Sequence, residues 1–190
     1  MQVQLPGGEI YESMSQGVVD CTMQSISDLT GYQLYEVAKF ATLGFLGGVF
    51  SGIDPHNINI ETWRGLTDEQ RRVLLDASAR GVAAATRSFY QVARDNADNA
   101  EQWKVEVIRA TDEMIAANAE FVQQDLAVIE QQFTNDYGVT DTAAKIEKIS
   151  GLVDRWKGLL ADWDGSEEAL AKLYVDEIFS RVDPATHGMN

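Results

Sequence analysis

From Thr67 onward the chain is written almost entirely in helical periodicity, and this constrains the fold more than any other feature. Thr67-Asp68-Glu69-Gln70 reads as a capping box, in which a threonine oxygen and a glutamine side chain take up the free donors of a first turn. Leu74, Ala77, Gly81, Ala85, Phe89 and Val92 follow at three- and four-residue spacing, predicting one long helix to about residue 96. The alanines and the glycine on that face imply close packing. Val105-Glu106-Val107-Ile108 is a short strand candidate, and Thr111, followed by Asp112 and Glu113, caps a further helix carrying Ile115, Phe121, Val122, Leu126 and Ile129. Ile146, Ile149, Leu152, Val153, Trp156 and Leu159 make another apolar stripe. After an Asp164-Gly165 turn, Ser166 caps a last helix with Leu170, Leu173, Tyr174, Ile178 and Phe179, which Pro184 stops. Such stripes are most simply core.

The organisation before residue 66 differs. Gly7 and Gly8 open a helix of about residues 8 to 16, with Ile10, Tyr11 and Met14 on one face, and Gly17 supplies a left-handed stop. Val18-Val19 reads as a strand over 18 to 22, followed by the polar loop Cys21-Thr22-Met23-Gln24-Ser25. Open α/β sheets place ligands beside such strand ends. A helical turn follows around Ser27 to Tyr35, then Phe40 to Leu46 as a buried strand, a glycine-punctuated run Gly47 to Pro55, and His56-Asn57-Ile58-Asn59-Ile60 as one more strand by its alternation. The glycine run is no phosphate loop, since no Lys-Ser or Lys-Thr follows it. The division is therefore residues 1–66, short elements, and 67–190, helices. On pattern alone the opening unit is an ordinary helix-turn-strand piece without a site.

Composition excludes several functions. With 30 Asp+Glu against 15 Lys+Arg the net charge is −15, and the basic residues form no stripe; Arg71-Arg72 is the one adjacent pair, flanked by Asp68 and Glu69. A nucleic-acid partner is not expected. No run of about 18 apolar residues exists to span a bilayer, and Met1-Gln2-Val3-Gln4 lacks the basic and apolar regions of a signal peptide. Cys21 is the one cysteine, so no intramolecular disulfide forms; a small buried hydrophobe is its simplest reading, because neither His56 nor His187 shows a sign of pairing with it. No H-E-x-x-H, C-x-x-C or G-x-S-x-G occurs, and Glu9 with Asp20 is not an acid/base pair by any spacing argument. At 190 residues and 45% hydrophobic, one domain or two small lobes fit.

Two ordered motifs carry a family resemblance. Glu9-Ile10-Tyr11-Glu12-Ser13-Met14-Ser15-Gln16-Gly17-Val18-Val19-Asp20, continued by Tyr35-Glu36-Val37-Ala38-Lys39, is similar to E-[VIL]-Y-x-A-L-x-x-G-x-V-D-G with its following E-V-x-K. Asn59 to Arg71, with Trp63, Leu66, Thr67 and Glu69, is similar to a strand asparagine followed by W-x-x-L-[ST]-x-E-x-[QR]. Both resemble the solute-binding proteins of TRAP transporters, the DctP family; Trp103 to Ile108, Trp156 to Leu159 and Asp176 to Pro184 resemble the C-terminal pattern of one branch. The resemblance implies an α/β, helix-dominated fold: the C-terminal half of a two-lobe periplasmic-binding-protein-like architecture with a long lobe-spanning helix. It implies no catalysis and no cofactor; the lobes close on a small organic carboxylate and deliver it to TRAP membrane permease subunits in the periplasm. Whether a metal ion takes part stays open.

Carried over by position, Gln24 falls on a ligand-touching asparagine of some relatives, Met23 on a glutamate, and Cys21 on a glycine, where a side chain reshapes the pocket wall. Phe45 falls on the strand bordering the cleft, and Gly7 on a position where several relatives have an aromatic. All five also read as scaffold. The family's carboxylate-holding arginine precedes the opening motif, and no arginine here matches it, so ligand binding by this chain alone is expected to be weak or absent. The alternative is an interaction module: a helix-rich acidic chain associating with itself through open sheet edges and an exposed helix face.

Overall fold

The computed structural model describes residues 3–45 and 56–189. It is helix-dominated with one small parallel sheet. The elements in chain order are α1 (Ile10–Ser15), α2 (Asp28–Gly31), β1 (Phe40–Leu43), α3 (Ile60–Gly65), α4 (Asp68–Asn99), β2 (Glu106–Arg109), α5 (Asp112–Asn135), α6 (Thr142–Leu159) and α7 (Glu167–Glu177), with short 3₁₀ turns between them. Two compact units interleave along the chain: the first is Met1–Val49 with Asn99–Asp162, the second Phe50–Asp98 with Trp163–Asn190.

In the first unit, α1 ends as its sequence predicts. Gly17 takes φ +69°; its N–H donates to the Met14 carbonyl and that of Val18 to the Ser13 carbonyl, at 3.1 and 2.8 Å. This is the paired closure of a Schellman motif. The same bonds explain why the expected strand over 18 to 22 does not form. The amides of Val18 and Val19 both go to Ser13, so neither is free for a ladder, and Val18 is 64% exposed.

β1 and β2 pair in parallel, Phe40 opposite Glu106 and Leu43 opposite Arg109. The expected buried strand to Leu46 is shorter and half exposed: Gly44, at φ +105°, ends it, Phe40 is exposed, and Leu46 lies outside the described residues. The run Gly47 to Pro55 lies outside them as well. The core of this unit gathers Ile10, Leu29, Leu34, Ala100 and Val105, with the Tyr35 and Trp103 rings beside it, 5.2 Å apart and tilted by 32°. Thr111 caps α5 by accepting from the Met114 N–H. α5 and α6 pack as a helical hairpin, joined through the Thr134 hydroxyl, which donates to that of Thr142 at 2.9 Å. No α5 residue is buried, so its apolar positions do not form the core that their spacing suggests.

In the second unit, the segment from His56 is not a strand. Asn59 caps α3, its Oδ1 accepting from the N–H groups of Glu61 and Thr62 at 2.9 and 3.2 Å, and an N-cap asparagine outweighs a brief alternation. The capping box of α4 forms as expected: the Thr67 N–H donates to Gln70 Oε1 at 2.9 Å, and the Gln70 N–H to Thr67 Oγ1 at 3.2 Å. The buried row of α4 is Arg71, Leu75, Ala79 and Ala83, about one residue round from the row expected through Leu74, Ala77, Gly81 and Ala85. Ser166 caps α7 by accepting from the Ala169 N–H, and Leu170 and Ala171 are buried.

Arg71 heads the buried row. Its guanidinium donates to the carbonyls of Leu66, Trp63 and Pro184 at 2.7, 3.2 and 2.8 Å and pairs with Asp68. Arg72 donates to the carbonyls of Phe179 and Val182. The one adjacent basic pair therefore holds the chain beyond α7.

Candidate ligand site

The polar loop after α1 carries three of the five residues singled out by position. Cys21 is exposed, so the buried setting expected for it does not hold. Met23 is 76% exposed, and Gln24 is half-buried. The Gln24 amide has no hydrogen-bond partner among the described residues. Phe45 follows the Gly44 turn and is 37% exposed. All four side chains belong to the first unit. Nothing in the contacts of the described residues gathers them around one cavity.

Gly7 has a neighbour that sequence could not supply. A Cβ built there would lie 2.6 Å from the Tyr32 hydroxyl. The Tyr32 ring thus occupies the space where a side chain at position 7 would start. Nearby, the Tyr11 hydroxyl donates to Glu36 at 2.8 Å, and this bond raises the tyrosine pKa, with the carboxylate charge adding to the effect. The pair ties α1 to the turn after α2. Asp28, at the start of α2, has its pKa raised by burial, an effect opposed by a hydrogen bond from the Ser25 backbone.

The second unit contains a cavity of about 310 Å³. Trp63, Leu74, Leu75, Ile58, Ile60 and Phe179 supply apolar surface, and His56, His187, Ser78 and Gly188 complete the described lining. Its floor is fixed: Trp63 Nε1 donates to the His187 carbonyl at 2.7 Å, and the two rings meet edge to face at 6.1 Å. The His56 ring lies over α4 at Gly81, where a Cβ would come within 3.2 Å of Cε1. Sequence reasoning missed this cavity because His56 and His187 have no motif spacing; the available signal was that both histidines flank aromatic-bearing segments.

Among the described residues no group of three or more His, Cys, Asp or Glu side chains is placed to hold a metal ion. No helix among them is long and apolar enough to cross a membrane.

Comparison with known proteins gives the arrangement its context. The family model described as bacterial extracellular solute-binding protein, family 7 (DctP), matches residues 2–132. A curated relative named "Solute-binding protein", from Albidiferax ferrireducens, is 32% identical over 77 residues, which is 40% of this chain and 23% of that protein. The match spans less than a quarter of the relative's own length. No solved structure matches the chain. The match over residues 2–132 covers most of the chain, from the opening motif through α4 and into α5, and on it the chain belongs to the bacterial extracellular solute-binding proteins of family 7, the DctP family.

Proposed function

We propose that this chain serves as the solute-binding subunit of a TRAP-type transporter, taking a small organic carboxylate in the periplasm for delivery to membrane permease subunits, without catalysing a reaction. The observation that carries the reading is the family match over residues 2–132. In this proposal residues 1–66 form the cleft-side segment and 67–190 the helical part. Gln24 supplies an amide to the ligand, Met23 and Phe45 supply apolar wall, and Cys21 narrows it. The half-buried Gln24 and the exposed Met23 and Phe45 side chains support these roles.

Isothermal titration of the chain with a panel of mono- and dicarboxylates, each beside its neutral amide, tests the reading. Saturable binding in the millimolar range that favours acids over amides is expected. Gln24→Ala should weaken it about tenfold, as loss of one hydrogen bond to a charged group does. Equal binding of acids and amides, or turnover of any acid, would overturn it.

A second reading has its own observation. The sheet has only two strands among the described residues, so both of its outer edges lack a partner there. In the same unit Phe121, Val128, Phe133, Ile149 and Val153 are exposed on α5 and α6. Unpaired edges and apolar helix faces favour association, and this supports an interaction module that assembles with a second copy of itself.

A further inference from the structure

The cavity of the second unit is absorbed by neither reading, and its chemistry is unlike the rest of the chain. The protein carries 30 Asp+Glu against 15 Lys+Arg, yet no Asp or Glu is among the described residues that line the cavity. Instead it holds both histidines of the chain, drawn from the segment before α3 and from the turn after α7. Each imidazole has at least one N–H donor in either protonation state. Around them, Trp63, Leu75 and Phe179 give an apolar surface, and Ser78 adds a hydroxyl.

The site is built rather than incidental. Trp63 and Leu75 are buried beneath it. His187 is positioned through its own carbonyl by the Trp63 indole, and Arg71 and Arg72 hold the backbone at Pro184, Phe179 and Val182 on the approach to it. At about 310 Å³ it falls at the lower end of small-molecule pockets, which run from roughly 300 to 1,000 Å³. The geometry points to a second ligand site, distinct from the Cys21 to Gln24 loop, for a small monocarboxylate with a ring-sized apolar body. The body lies against Trp63 and Phe179, and the carboxylate accepts from the imidazoles of His56 and His187. No acidic side chain of the described lining directly opposes a bound carboxylate. The inference does not depend on solute binding at the loop, which belongs to the other unit.

The two histidines make the test direct, because a ¹H–¹³C spectrum of the intact chain carries only two sets of imidazole signals. Benzoate, acetate and benzyl alcohol are titrated in turn, supplying body with charge, charge alone and body alone. Benzoate should move both sets saturably, with acetate and benzyl alcohol at least about tenfold weaker. His56→Asn should weaken benzoate about tenfold. Ser78→Leu, which fills the cavity and leaves both imidazoles, should abolish the response while the thermal midpoint is kept or raised. Two unmoved imidazole signals would overturn the proposal. So would acetate or benzyl alcohol matching benzoate, or a full response surviving in Ser78→Leu. If the benzoate response is intact in Gln24→Ala, the two sites are separate; its loss there would overturn the assignment to the second unit.

Discussion

Removing a guanidinium from water costs several kcal/mol, and Arg71 is buried nonetheless because its N–H groups meet four carbonyls and the Asp68 carboxylate. A polar residue therefore heads the packed row of α4. Periodicity that counts apolar residues alone selects the row through Leu74 and misses it. Asp28 shows the reverse case, a charge without enough compensation. Burial raises its folded pKa above the ordinary value of 3.8, so the neutral form is the one the fold prefers. The sign follows: its favourable contribution is complete below the unfolded value and is lost as pH rises through the folded one. Asp28→Asn, which keeps an acceptor for the Ser25 N–H, should raise the denaturation midpoint at neutral pH and leave it unchanged well below the unfolded value. Equal effects at both pH values in denaturant unfolding would count against this.

Among the elements, those announced by their own ends were legible: α4 from its Thr67 and Gln70 box, α5 from Thr111, α7 from Ser166, and the stop at Gly17. Caps are local, so a few residues decide them. The strands over 18 to 22 and 56 to 60 failed for an equally local reason. Their amides or side chains were already engaged, by the closure of α1 and the start of α3 respectively. Of the candidate site, the loop residues could be read by resemblance, whereas the cavity joins His56 to His187 through tertiary packing that no spacing encodes. Within α6, a Cβ added at Gly151 would meet no atom within 4 Å, so the missing side chain there serves no close approach. Gly151→Ala should stabilise the first unit by about 0.5–1 kcal/mol. A denaturation midpoint that falls would show that the helix needs glycine there.

For the whole molecule, charge and apolar surface pull in opposite directions. The net charge of −15 opposes self-association, while the exposed residues of α5 and α6 favour it. Salt screens the first and not the second. Light scattering should therefore show a dimer fraction that grows with ionic strength, and Phe121→Lys with Ile149→Lys should return the sample to monomer. A monomer at every salt and protein concentration would remove the interaction-module reading. The parallel pairing of β1 with β2 bears on kinetics as well. Residues 44–105 separate the two strands, with the whole of α4 inside that span. The second unit likewise waits for Trp163–Asn190 to join Phe50–Asp98. Neither unit can close on contacts made early in synthesis, so both must pass the entropic cost of long-range closure before their cores gain anything. A parallel pairing of two four-residue strands this far apart in the chain makes the fold slower to form than its helix content alone implies.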